Sequence, residues 1–211
     1  DFQFHYERKG LLIAYKTDKA GEAEWKIGQR ALQEGLHVEN LNKEQVQALQ
    51  PDVKMDIKGG VYFHSDAHMT PNDFLINMLQ YLKKVGVEFR TNTQVFSFEK
   101  SKDRIIKINT NNGEIGADEF IIATGSWTQK ISKHLDVKIP IQPGKGYSIN
   151  VSRKTAISIP TILCEKKVAV TPMSGFTRFG GMMEIGGINQ HINKRRVNAI
   201  AKAVTEYYPN I

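Results

Sequence analysis

The segment TPNDFLINMLQYLKKVG, residues 70–86, constrains the fold most. Thr70 is a good N-cap, Pro71 suits the first helical position, and Asp73 completes a Thr-x-x-Asp capping box. Phe74, Leu75, Met78, Leu79, Leu82 and Val85 form one apolar stripe, and Gly86 ends the helix. Strand-like runs are available on both sides. Upstream, Phe2, Phe4 and Tyr6 alternate with polar residues, Arg8-Lys9-Gly10 reads as a turn, and Leu11–Tyr15 as the returning strand of a hairpin. Helices are predicted from about Glu22 to Glu34 and Lys43 to Leu49, then a short strand at Val61–Phe63.

Downstream, strands are predicted at Val87–Phe89, Gln94–Glu99, Ile105–Thr110 and Phe120–Ala123, with Asn111-Asn112-Gly113 as a turn. Past Pro140 and Pro143 the texture is β again, at Gly146–Val151, Val168–Thr171 and Phe176–Gly180, before a last amphipathic helix carrying Val197, Ile200, Val204 and Tyr208. The order predicts an α+β chain: an α/β-like lobe interrupting a lobe built on a mixed or antiparallel sheet. The composition shift near residues 136–145 marks a boundary, so the chain leaves one lobe and returns to it.

Charge and cysteine content exclude several classes. Residues 1–100 carry 13 Lys/Arg against 14 Asp/Glu, whereas 101–211 carry 16 against 8, so the net charge of +7 lies in the second half. Arg153-Lys154, Lys166-Lys167 and Lys194-Arg195-Arg196 make up much of it. Such a surface attracts anions without choosing among them. One cysteine, Cys164, excludes a disulfide framework and a cysteine-rich metal site, and fits a reducing compartment. No apolar run approaches the roughly 20 residues that span a bilayer, and no signal segment opens the chain. The localisation expected is cytoplasmic, with association at the cytoplasmic face of a membrane left open.

The scan for chemistry yields one strand-to-turn signal. FIIATGSWTQK, residues 120–130, runs two β-branched residues into Ala-Thr-Gly, a turn that lets backbone approach a phosphate. The glycine-rich strand-turn-helix of a nucleotide fold, G-x-G-x-x-G, is absent from these 211 residues, and so is G-x-x-x-x-G-K-[ST]. His64 and His68 fall before the Thr70 cap, read as exposed loop residues, and lack a third ligand, so no metal is expected. Cys164 reads as a buried inert thiol, and no G-x-S-x-G elbow or catalytic dyad is present. No residue is assigned as catalytic.

Ordered along nearly the whole chain, GLLIAYKT, LNKEQVQALQPDVKMDIKGGVYFHSDAHMTPNDFLINMLQYLKKVGVEFRTNTQVFSFE, ADEFIIATGSWTQKI, IPIQPGKGYSI and VAVTPMSGFTRFGGMMEIGG resemble FAD-dependent amine oxidoreductases of the D-amino acid oxidase superfamily, nearest to bacterial D-amino acid dehydrogenases and glycine oxidases. The resemblance implies an enzyme that oxidatively deaminates D-amino acids, glycine or secondary amines by hydride transfer to flavin. It implies a central portion of that fold, inactive and without retained FAD by itself. Residues 64–137 would belong to the FAD-binding lobe, and 1–63 with 138–211 to the substrate lobe. Val95, Ala123, Thr124, Gly125 and Trp127 would then lie along FAD, and Thr171 and Met182 at the substrate pocket. The partners implied are a small-molecule amino acid substrate and an electron acceptor, which a peripheral membrane site could supply, and no specific nucleic acid. The oligomeric state is left open. From the residues alone two alternatives stand: a non-catalytic basic domain engaging nucleic acid or an acidic partner, and the flavin module of a tRNA-modifying enzyme.

Overall fold

The computed structural model describes residues 2–211. β1 (Leu11–Tyr15) is followed by α1 (Asp18–Gln33), β2 (Val38–Asn42), α2 (Lys43–Leu49), β3 (Gly59–Phe63) and α3 (Pro71–Lys84). A meander of β4 (Val95–Ser101), β5 (Arg104–Thr110) and β6 (Gly113–Gly116) comes next, then a 3-10 turn at Gly125–Trp127 and the short helix α4 (Thr128–Ser132). β7 (Gly144–Val151), β8 (Thr161–Leu163), β9 (Val168–Met173), β10 (Phe176–Ile185) and α5 (Lys194–Tyr207) complete the chain. The fold is mixed α and β, in the class expected.

Seven strands form one sheet in the order β2-β3-β1-β8-β9-β10-β7, and β4-β5-β6 form a second. β1 pairs antiparallel with β3 and parallel with β8. Its sequence, LLIAY, lacks the usual polar alternation because both faces are covered. Leu12 and Ala14 point into a core shared with Leu163, Val170, Phe179 and, from α5, Ile200, Val204 and Tyr207. Ile13 points the other way, toward Val61, Cys164 and Trp25 of α1. Burying each large side chain of this kind contributes about 1.5–3 kcal/mol.

The chain divides into two compact units: Asp1–Tyr81, Gly146–Met183 and His191–Ile211 in the larger, Leu82–Lys145 and Glu184–Gln190 in the smaller. Residues 64–81 thus fall in the larger unit, and 138–145 and 184–190 in the smaller.

Several local expectations are corrected. Residues 2–9 form no hairpin with β1; Glu7 instead makes an antiparallel bridge to His68, while Phe2 and Phe4 pack their rings against Phe74. α1 begins four residues earlier than Glu22, because the Thr17 side chain accepts the Ala20 N–H and caps it. The Thr70 hydroxyl, expected to cap α3, accepts the Ser174 N–H at 2.9 Å. Val87–Phe89 and Phe120–Ala123 are not sheet strands. Their β-branched and aromatic residues favour extended backbone, but no strand among the described residues pairs with them. β6 and β8, of four and three residues, are too short to show periodicity. No helix among the described residues is long and apolar enough to cross a membrane.

Candidate functional site

In the smaller unit, the chain arrives at Gly125 in a left-handed conformation, φ +49°, which disfavours a side chain for backbone reasons alone. Nothing lies within 4 Å of where a Cβ would sit. The backbone there is therefore open to an approaching group. Two hydrogen bonds hold the turn: the Thr124 hydroxyl donates to Thr128 Oγ1 at 3.0 Å, and the Thr128 hydroxyl donates to the Gly125 carbonyl at 2.8 Å. The Trp127 N–H also donates to the Thr124 carbonyl at 3.0 Å.

Beside this turn is a hollow of about 770 Å³, walled mainly by carbon: Val95, Phe98 and Ile108 of the meander, then Ile122, Thr124 and Trp127. Val95 is half-buried, and Trp127 is exposed. Val95, Thr124 and Trp127 thus meet at one hollow, with Gly125 at its turn. Ala123 is exposed on the extended segment leading in. Ile121 is 93% exposed, an apolar side chain presented to the outside.

In the larger unit, register brings small residues into a row. Ile13 pairs with Ile162, Ile162 with Ala169, and Ala169 with Gly180, so these four share one face of the sheet. Ile162, Ala169, Gly180 and Met182 border a hollow of about 710 Å³, together with Lys166 and Lys167. Ala169 and Gly180 give it a floor with almost no side-chain bulk. Met182 enters with φ +55°, an uncommon backbone for a non-glycine residue. Thr171 does not border this hollow. It stands two residues along the same face from Ala169, directly opposite Arg178, whose Nε donates to Asn150 Oδ1 at 3.2 Å. Arg178 passes unnoticed in the sequence reading; its place on the open face emerges only from the β9–β10 register.

His64 and His68 are not brought together. His64 stacks on the His37 ring, with centroids 3.8 Å apart, and its Nε2 is 2.8 Å from Glu39. His68 is buried rather than exposed, and burial lowers its pKa below the ordinary imidazole value. Third residues exist for both, His37 and Glu39 for one and His5 and Glu7 for the other. The repeated His-x-Glu spacing at 5–7 and 37–39 is the sequence signal that could have found them.

Cys164 is buried, as expected, and donates to Glu24 Oε1 at 3.2 Å. Burial first, and then Glu24, push its thiol up to about 11, well away from an activated nucleophile.

The chain is 26% identical over 215 residues to a D-amino acid dehydrogenase of Vibrio atlanticus, across 99% of this chain and 52% of that protein. It is 30% identical over 183 residues to a D-amino acid dehydrogenase of Bradyrhizobium diazoefficiens, across 84% of this chain and 44% of that protein. The crystal structure of a glycine oxidase from Bacillus cereus superimposes with a TM-score of 0.87 at 22% identity, over 98% of this chain and 57% of that one. The chain therefore spans about half the length of the relatives it matches. The family model of the FAD-dependent oxidoreductases (DAO) matches residues 1–211 from end to end, and the chain belongs to that family.

Proposed function

We propose that the protein carrying this chain oxidises small amino acids or related amines, D-amino acids first, with FAD as its cofactor. The observation that carries this reading is the family match over the whole chain, with D-amino acid dehydrogenases among the relatives. The residues present fit one side of FAD. Gly125 offers backbone with open space in front of it, and the adjoining hollow is walled by carbon and large enough for part of a flat ring system. Val95, Ala123, Thr124, Gly125 and Trp127 would hold the cofactor.

Thr171 and Met182 would border the substrate, over the floor made by Ala169 and Gly180. Arg178 and Lys167 place positive charge near that floor, which suits a substrate carboxylate. FAD, when bound, supplies the redox chemistry. The substrate loses a hydride from its α-carbon and a proton from nitrogen, and the imine adds water to give a 2-oxo acid and ammonium. The part left to this chain is orientation and charge, which agrees with the absence of a catalytic dyad among the candidates.

The cofactor-side residues all fall in the smaller unit and the substrate-side residues in the larger. That supports a substrate lobe interrupted in sequence by a cofactor lobe, as in the reading of 1–63 with 138–211 and of 64–137, except that residues 64–81 group with the former and 138–145 and 184–190 with the latter. The lone cysteine supports a cytoplasmic setting, and the reading includes no specific nucleic-acid partner.

The test is a dye-coupled assay of the full protein with D- and L-amino acids, glycine and N-methylglycine. We expect D-amino acids to reduce the dye, with 2-oxo acid and ammonium formed in equal amounts. A flavin-loaded protein that turns over none of these amines would remove the reading.

A further inference from the structure

We propose that His5, Glu7 and His68 form a binding site for a divalent metal ion of the zinc class, separate from the flavin and substrate residues. The backbone builds it first. Glu7 and His68 face each other in an antiparallel bridge, the Glu7 N–H donating to the His68 carbonyl at 2.9 Å and the His68 N–H to the Glu7 carbonyl at 3.0 Å. This reciprocal pair fixes both Cβ atoms on one side. His5 joins them from two residues before Glu7, with its backbone at φ +52°. A histidine held in that sparsely occupied region is kept there by its surroundings.

The distances fit a metal better than they fit hydrogen bonds. Nε2 of His5 is 3.4 Å and Nε2 of His68 3.3 Å from the same oxygen, Oε2 of Glu7. An N–H···O bond is shorter, typically about 2.7–3.2 Å. A tetrahedral ion with ligand bonds of about 2.0–2.1 Å sets its ligand atoms about 3.4 Å apart. One ligand atom from each of the three residues lies within 4.8 Å of the others, close enough to share one ion after a small adjustment. The imidazole planes of His5 and His68 are inclined at 75°, so a single ion can lie in both planes.

Two further observations point to a ligand. The His68 side chain is 5% exposed, and both its ring nitrogens are buried without a hydrogen-bond partner. A buried imidazole in that state has lost water for no more than the 3.3 Å contact of its Nε2 with Glu7. Lys9 meanwhile holds the other Glu7 oxygen, Oε1, at 3.0 Å, which leaves Oε2 to face the two imidazoles. Two His and one Glu are a known zinc ligand set that leaves a fourth position to water. His5 and Glu7 also border a hollow of about 760 Å³ that includes Lys9, Arg153 and Lys154, so an anion can reach that position.

The second cluster, His37, Glu39 and His64, is a poorer site. Its two rings are stacked at 9°, so their planes do not meet where one ion could bind both. It serves as the internal control.

The test uses the full protein after dialysis against a chelator, titrated with Zn(II) by calorimetry and with Co(II) by visible absorption. One equivalent of each is expected to bind, the bound Co(II) showing the intense visible bands of a low-coordinate site. His5→Ala and Glu7→Gln, both at partly exposed positions, should each weaken Zn(II) binding by at least about 10-fold. The paired variant His37→Ala with His64→Ala should leave that equivalent in place. Circular dichroism checks that the variants are folded, so His68→Ala, which empties a buried position, is not needed. No stoichiometric binding, binding unchanged in the folded His5→Ala with Glu7→Gln double variant, or binding lost with His37 and His64 would each overturn the proposal.

Discussion

The Thr128 hydroxyl donates to the carbonyl oxygen of Gly125 at 2.8 Å while accepting from the Thr124 hydroxyl at 3.0 Å. Thr128 is buried while Thr124 and Gly125 are exposed, so the relay is shielded from water on the Thr128 side. It ties the open turn to the first residue of α4. Thr128→Val keeps the shape and removes the relay, at a cost of about 0.5–1.5 kcal/mol, since water reaches the partners left behind. In the full protein we expect lowered flavin content, read as the ratio of flavin to protein absorbance. Unchanged flavin content would mean that the turn is held by other means.

Gly125 itself gives a graded test. Its φ of +49° costs a side-chain-bearing residue about 1–2 kcal/mol, least for Asn. Because nothing stands within 4 Å of the Cβ position, a clash within this chain contributes nothing. Flavin occupancy should therefore fall in the order Gly125, Gly125→Asn, Gly125→Val, with little loss of thermal stability in the larger unit. Equal occupancy in all three would make the turn purely structural.

Glu165 links the start of α1 to the end of α5. Its Oε1 accepts from the Lys16 N–H at 2.9 Å and from the Thr17 N–H and hydroxyl, each at 3.0 Å, and its Oε2 accepts from the Tyr207 hydroxyl. Burial alone would raise its pKa, but Tyr207 and the other donors outweigh it and hold the carboxyl below its ordinary value of 4.5. The sign follows: a depressed carboxyl contributes stability above its unfolded pKa, and that contribution is lost as pH falls through the folded value. Glu165→Gln should lower the urea midpoint at neutral pH by an amount worth about 1 kcal/mol, the residue being exposed enough for water to compensate in part. Below the carboxylate range the two proteins should converge. A difference independent of pH would show that charge is not the cause.

Cys164 should be slow toward thiol reagents. With its thiol pushed up to about 11 from an ordinary 9.0, its thiolate fraction at pH 8 is roughly 100-fold reduced, before burial adds its own barrier. Alkylation followed by mass spectrometry should show at least that ratio between urea-unfolded and native protein. Similar rates in the two states would contradict the placement of the thiol under α1.

Legibility followed the range of the interaction responsible. The spans of α2 and α3 could be read from sequence, because helical spacing and the stops at Pro51 and Gly86 are local, whereas the Thr70 cap is not made and the α3 stripe is not buried in this chain. The β4–β5 pair was visible, with Asn111-Asn112-Gly113 as the turn that follows it, whereas β6 was not. The partners of β1 were not, since a buried run such as LLIAY carries no register, and its neighbours β3 and β8 come from distant parts of the chain. The turn at Gly125 could be read because Ala-Thr-Gly is a local signal. Arg178 could not, because its place depends on the β9–β10 pairing, and of the trio only the His5-x-Glu7 spacing was legible, since His68 joins it through a bridge.

The basic second half should bind nucleic acid only weakly. Lys166 is held by Glu206 at 2.6 Å, and Lys194, Arg195 and Arg196 stand at the start of α5, where the helix dipole opposes them. Non-specific affinity for tRNA or duplex DNA is expected on the order of 10⁻⁴ to 10⁻⁶ M, falling steeply with salt. A mobility shift that persists at physiological salt and sub-micromolar protein would instead favour a binding domain.

The central claim, that this chain belongs to a working amine-oxidising flavoenzyme, is tested most directly by anaerobic reduction of the flavin in the purified full protein. Mixed with a panel of D-amino acids in the absence of oxygen and dye, the flavin absorbance should bleach with at least one of them. Bleaching should slow when Arg178, on the open face opposite Thr171, is replaced by Ala. A protein that holds flavin and is reduced by dithionite, yet by no amino acid or secondary amine, would contradict the account.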